Sequence, residues 1–383
     1  MSPVKRLIAG QPSWTLRSSE VEAAVTELGG QLGPVTFDRR RRRIQPYSIA
    51  PWVEEGQARA LPPILRALRG DFFCLPFGAN ATPFKSERHP LHGETANAKW
   101  KLTNLETTKE LSRLHCHLDT RVRPGRVEKI IELRSGQNAI YCRHVISGMR
   151  GPLCFGHHAM LRFPDEAGSG VISTSPFALG QVFVEPTERP ENRGYSWLKP
   201  GAEFASLERV PALTGEAADL TRYPARRGFE DLAMILSRPE LPVAWVAVTF
   251  PGERHVWFAM KDPRVLRGTI FWISNGGRHY PPWDGRHVNV LGIEDVTSYF
   301  HLGLAESARP NPFSRRGFPT TATLDPKRPL VVSYLMAVAL VPRGFDRVAA
   351  IEPGADGDSV ELQAMSGKTV SVPLDPGWLR GAA

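Results

Sequence analysis

Four stretches of this chain gather side chains able to move protons or to hold a polar ligand. In residues 71–100 an apolar run gives way to Pro76 and Gly78, then to Asn80, His89, the His92-Gly93 pair, Asn97 and Trp100. A glycine next to His92 lets backbone pass where a side chain would block it. Residues 152–164 carry two adjacent histidines, His157 and His158. In an extended chain these point to opposite faces, so one of them can enter a given cleft; the competing reading is one buried structural histidine and one on the surface. Glu230 and Asp231 open the apolar run at 228–236, a setting in which carboxylates also serve as helix caps. The densest stretch, 272–300, sets Asn275, Arg278, His279, Tyr280, Trp283, Arg286 and His287 around Gly and Pro turns, before the apolar strand 288–293 delivers Glu294 at its end.

Aromatic faces beside directional donors suit a sugar, whose CH faces stack and whose hydroxyls need hydrogen bonds. An acidic residue closing an apolar strand is expensive unless it faces a cleft or is well paired. A salt bridge from Glu294 to Arg278 or Arg286 is the structural alternative. His115 and His117 share a strand face with Cys116 between them. Two histidines make half a zinc site and Cys116 points away, so no metal is expected there.

The elements around these residues read as short strands. Residues 20–37 form two apolar runs about Gly29-Gly30, and further runs fall at 127–133, 139–146, 170–173, 243–250, 255–260, 268–273 and 288–293. The run at 330–340 is nearly all apolar, as expected for a strand buried on both faces. Helical spacing is scarce: 61–68 and 229–236 allow two turns each, and 295–304 somewhat more. Residues 185–223, rich in Pro, Gly and charge, read as an excursion from the sheets. Residues 359–364 and 369–374 flank Ser366-Gly367 as a terminal hairpin.

Composition narrows the classes. Gly and Pro each occur 34 times in 383 residues, spread along the chain, which is the punctuation of many turns. The formal charge of +9 would permit an anionic partner, and the run 39–43 is its densest part. That run reads as a solvated strand end, and with no aromatic RNA platform, finger spacing or basic heptad, nucleic acid is not expected. No window approaches the roughly 20 apolar residues of a membrane span. The four cysteines lack C-x-x-C spacing and read as reduced core thiols. A soluble, cytoplasmic protein without a cofactor is the expectation.

Taken in order, the four stretches resemble the aldose 1-epimerase (galactose mutarotase) family. Residues 20–37 look like its opening glycine-pair strands, and HPLHGETANAKW at 89–100 resembles its His-Gly segment ending on Trp. FGHHAMLRFP at 155–164 is similar to the strand carrying the catalytic histidine, which matches His158, with Met160 and Leu161 replacing an aromatic pair. VLGIEDV at 290–296 resembles the strand of the catalytic glutamate, which matches Glu294, with Asp295 where proline is common. Asp231 falls near the family's substrate-binding aspartate. The likeness covers about residues 14–351. It departs where the family carries an arginine before the His-Gly pair: Gly78-Ala79-Asn80 stands there, with Lys85 and Arg88 the nearest cations.

The resemblance implies an all-β protein, a large antiparallel β-sandwich with few short helices. It implies one domain over 1–383, with a core of about 14–351 and a C-terminal hairpin extension at 353–383. It further implies anomer interconversion without metal or cofactor. An ionised Glu294 would take the O1 proton, and a protonated His158 on the opposite side of the sugar would give one to O5. His92 would bond the same region. Asp231, Asn80, His89, Arg278, Tyr280, Trp283 and Arg286 would bind the sugar. The cations Arg278, Arg286, Lys85 and Arg88 leave an anionic or phosphorylated sugar open. The rival readings are a non-catalytic sugar-binding or regulatory protein, and another sugar-transforming enzyme such as a lyase or a hydrolase. A glycosidase would need facing carboxylates, for which Asp231 and Glu294 are the available pair.

Overall fold

The computed structural model describes residues 5–380. Two large antiparallel sheets face each other. The first has eight strands, ordered Glu203–Phe204, Phe177–Val182, Phe229–Ser237, Gly268–Asn275, Val290–Thr297, Phe155–His157 and Phe73–Cys74, with Ala159–Arg162 also paired to Val290–Thr297. The second has nine, running from Arg222–Tyr223 through Gly170–Thr174, Ala244–Phe250, His255–Lys261, Leu330–Leu340, Ala139–Ser147, Gly125–Arg134 and Leu111–Thr120 to Lys101–Thr107. Their facing sides hold a continuous apolar core that includes Trp257, Phe73, Ile131, Val332 and Ile293. This is the expected all-β sandwich, and the helices are few and short.

The reading of 20–37 as two strands about a turn holds: Glu22–Thr26 pairs with Leu32–Thr36. They belong to a four-stranded N-terminal sheet with Arg6–Ile8 and Gln11–Arg17. Leu330–Leu340 is buried along nearly its whole length, as its apolar run requires. Its inner face meets the first sheet. Its outer face, with Ala139, Tyr141, Trp245 and Phe258 from neighbouring strands, is covered by Val360, Leu362, Val372 and Trp378. The terminal hairpin therefore packs as a roof. It also gains a third strand, Val348–Pro353, beyond the expected boundary.

Two helix expectations fail. Residues 229–236 lie in the inner strand Phe229–Ser237, paired on both sides. A strand buried on both faces is apolar at every position, which imitates helical spacing over so short a run. Residues 295–297 finish the strand Val290–Thr297, and the helix that follows is the single turn Leu304–Ala308. The helix expected at 61–68 forms as Pro63–Ala67, its proline at the first turn where a missing N–H costs nothing. All four cysteines are buried thiols, and none is paired. Among the described residues no helix is long and apolar enough to cross a membrane.

Candidate active site

Strand alternation decides which side chains reach the outer face of the eight-stranded sheet. Glu294 is in mid-strand, not at a strand end, and it shares that face with Trp272 of the neighbouring strand. Gly292 lies between them. A Cβ there would come within 3.0 Å of both the Glu294 carboxyl and Trp272, so the bare position makes room for both. His158 falls at the break between Phe155–His157 and Ala159–Arg162. Its backbone N–H donates to Asp71 Oδ1 at 3.1 Å, and its ring stacks on Phe72 with centroids 4.6 Å apart. These contacts set the imidazole Nε2 at 3.3 Å from Glu294 Oε1.

His92 completes the group, edge-on to His158 at 5.0 Å. Its loop is pinned because Gly93 crosses Leu75 so closely that a Cβ would stand 1.9 Å from the Leu75 carbonyl oxygen. The Gly78 N–H points to His92 Nδ1 at 3.4 Å, which leaves Nε2–H of the neutral ring as a donor. Together these residues floor a cleft of about 260 Å³. Trp272, Trp283 and Tyr280 form its aromatic wall, and Ile64, Leu65 and Leu68 face them from the short helix region. His287 stacks on Trp272 and bonds Ser274 Oγ at 2.8 Å, holding that indole in place.

Arg278 is the cation of the cleft. It stacks over Trp283 and Trp272, 4.6 and 5.1 Å from their ring centroids. Its Nε sits 3.3 Å from Glu188 and 3.5 Å from Glu230. Tyr280 also donates to Glu188, at 3.0 Å.

Burial dominates the electrostatics. It pushes Glu294 up to about 8, with Arg278 pulling the other way, and it pushes Glu230 up to about 7. It brings His158 down to about 4, against the attraction of Asp71, and His301 also to about 4. His92 falls well below the ordinary imidazole value. The expected charge pattern is thus reversed: at neutral pH Glu294 keeps its proton and His158 lacks one. The cause is burial of the two groups, under which the neutral forms cost least. The two groups also stand side by side and not on opposite sides of a ligand.

Of the expected site residues, the cleft gathers Glu294, His158, His92, Arg278, Tyr280 and Trp283. Four lie elsewhere. Asp231 points to the other face of its strand, where its carboxylate accepts the Trp197 and Leu198 N–H groups beside a void of about 20 Å³. Its neighbour Glu230 takes the outer face instead. The Asn80 amide braces three backbone carbonyls, of Pro76, Gly78 and Pro90. His89 bonds Glu87, which Arg123 also holds. Arg286 pairs with Glu55 on the surface. Lys85 and Arg88 are exposed and do not line the cleft. No motif or spacing points to His301, Thr187 and Glu188, which also line it; the last two come from the excursion after residue 184.

No protein-family model and no curated protein sequence matches the chain. Solved structures do. A galactose mutarotase-like protein from Clostridium acetobutylicum superposes with a TM-score of 0.58 at 12% identity, over 88% of this chain and 98% of its own. The GalM/aldose epimerase homologue from C. elegans gives 0.56 at 14% identity, over 87% and 100%. A galactose mutarotase related enzyme from Lactobacillus acidophilus gives 0.54 at 13%, over 86% and 99%. The class of the chain follows from these likenesses: a large antiparallel β-sandwich. In particular, it is the galactose mutarotase-like sandwich, with a sequence far diverged from those three.

Proposed function

We propose that this protein interconverts the anomers of a neutral aldose, with Glu294 and His158 moving the two protons. The observation that carries the reading is the 3.3 Å approach of His158 Nε2 to Glu294 Oε1 on the floor of an aromatic-walled cleft. In ring opening O1 loses a proton and O5 gains one, and both oxygens are bonded to the same carbon. Two groups within ion-pair distance of each other can therefore address both, without lying across the ring.

The pair holds one mobile proton. Whether it sits on Glu294 or on His158, one partner is an acid and the other a base. With the sugar's hydroxyls in the cleft and the proton on His158, Glu294 takes the O1 proton while His158 protonates O5. The ring opens, the C1–C2 bond turns, and the reverse transfers close the ring on the other face. His92 Nε2–H and Arg278 donate to neighbouring oxygens, and Trp272, Trp283 and Tyr280 stack on the CH faces. Arg278 supplies a cationic donor from the second half of the chain, in the absence of one before the His-Gly pair.

A neutral sugar fits the charge of the cleft better than a phosphorylated one. The guanidinium of Arg278 is already faced by Glu188 and Glu230, and Arg286, Lys85 and Arg88 point elsewhere.

The test is anomer exchange by saturation-transfer NMR on a panel of aldoses and their 6-phosphates. Wild type is expected to exchange neutral aldoses, and Glu294→Gln to lose about 10²–10⁴-fold in rate while still binding sugar. Unchanged exchange in the variant removes Glu294 from the reaction. Sugar binding without exchange by wild type makes the protein a carbohydrate-binding module. A preference for the phosphates overturns the neutral assignment.

A further inference from the structure

Between the two sheets, away from the cleft, Cys142, His144 and His157 bring one sulfur and two ring nitrogens within 4.8 Å of one another. Cys142 and His144 are two apart on the strand Ala139–Ser147 of the nine-stranded sheet and so share its inner face. His157 ends the strand Phe155–His157 of the opposite sheet. All three are buried, none above 1% exposure.

Their nitrogens are in debt. Neither Nδ1 nor Nε2 of His144 has a hydrogen-bond partner among the described residues, and neither has Nε2 of His157. A buried polar atom left without a partner is costly. The rings are nevertheless held firmly, His144 stacked on Phe73 at 3.9 Å and His157 on Tyr334 at 4.2 Å. Asp71 Oδ2 accepts from His157 Nδ1 at 2.8 Å. That bond fixes the tautomer and leaves the Nε2 lone pair free, as an outer carboxylate does for a metal-bound histidine.

We infer that this cluster is a buried three-coordinate site for a soft monovalent cation, Cu(I), bound by Cys142, His144 and His157. Thiolate with imidazole selects Cu(I) or Zn(II). Two observations favour the monovalent ion. Structural zinc takes four ligands, and the cluster offers three, both oxygens of Asp71 being engaged by His157 and by the His158 N–H. The second is charge. Asp71 and the ammonium of Lys129, on the adjacent strand opposite His144, are buried groups of opposite sign that act on each other through space. On binding, the Cys142 thiol releases its proton and forms a Cu–S bond, so Cu⁺ with the thiolate adds no net charge to a dry interior. Zn²⁺ with one thiolate would leave an unbalanced positive charge there, which is costly. No spacing motif announces the site, because its ligands come from two sheets.

Because the ligands are wholly buried, the ion is loaded during folding. The test is to express the full chain in copper-supplemented and in zinc-supplemented medium, purify it anaerobically under reducing conditions, and measure bound metal. One copper per chain is expected, with X-ray absorption showing one sulfur and two nitrogen ligands. Cys142→Ser is expected to lose the copper, and Cys116→Ser, a buried thiol outside the cluster, to retain it. If Cys142→Ser does not fold, His157→Gln serves in its place, and the melting temperature of copper-loaded wild type should exceed that of protein from copper-depleted cells. Copper-free wild type, preferential zinc loading, or copper retained in Cys142→Ser would each overturn the inference. None of these results bears on the cleft, which lies on the other face of the sheet.

Discussion

The outer and inner faces of the eight-stranded sheet differ sharply in chemistry, and three pairs of neighbouring residues divide themselves between them. Glu294, Glu230 and His158 turn outward to the cleft, while Asp295, Asp231 and His157 turn inward. The two inward carboxylates are satisfied locally. Asp295 accepts from Lys261 at 2.5 Å, from Thr269 and from Tyr334, and Asp231 takes two backbone N–H groups. Among the outward ones, Glu230 accepts from Trp272, Ser274 and the Gly277 N–H, while His158 keeps an unpartnered Nδ1. Adjacent carboxylates of similar type thus meet unlike surroundings: a cleft outside, a packed core inside. The deciding factor is the two-residue period of the strand.

The widest gap between the faces should appear at 294 and 295. The loss of turnover expected of Glu294→Gln comes with little loss of stability, since a neutral amide replaces a carboxyl that is protonated at neutral pH. Asp295→Asn should do the reverse. It strands the Lys261 ammonium in the core and is expected to cost about 3–5 kcal/mol by denaturant unfolding. Anomer exchange per folded molecule should be unchanged, and a turnover defect in Asp295→Asn at full folding would break the division.

A smaller effect is expected at Asp231, which the family resemblance made a sugar ligand. Asp231→Asn replaces one acceptor of two backbone N–H groups and should cost about 1–3 kcal/mol of stability. KM for the aldose should not change. A raised KM would return Asp231 to the cleft.

The gentlest probe is pH. Exchange needs one proton on the Glu294–His158 pair, so the rate should be bell-shaped. It should fall below about pH 4, where both are protonated, and above about pH 8, where neither is. Stability should carry the same signature. Folding holds the Glu294 proton more tightly than the unfolded chain does, so the stabilisation present below the ordinary carboxyl value of 4.5 is lost progressively as pH rises from there through about 8. Glu294→Gln should therefore melt like wild type near pH 4 and progressively higher than wild type as pH rises from there to 9. A rate that climbs through pH 8 would exclude a protonated pair.

Much of this was legible in residue order. Turn punctuation and apolar runs located most strands, the glycine pair marked the first hairpin, and chemistry-bearing stretches pointed to six residues that do meet in the cleft. Failures cluster where tertiary context outweighs local pattern. The strand holding Asp231 reads as a helix because both its faces are buried, and with that error its inward direction could not be seen. Arg286 and His89 look like ligand residues by type, yet Glu55 and Glu87 claim them through pairings that spacing does not reveal. Glu188 comes from the excursion, whose composition suggests a surface loop. Ionisation escapes the sequence for a related reason: reference values assume full hydration, and burial of Glu294 and His158 takes it away.

The roof over the nine-stranded sheet bears on how the molecule is made. Its strands follow every strand of the two main sheets in chain order, so a nascent chain completes both before their cover is synthesised. Until then Tyr141, Trp245, Phe258 and Leu335 form a greasy slab open to water. Growing chains must keep that slab from sticking to one another until residues 348–380 have been made, and a stop codon shortly before residue 348 would leave it bare for good.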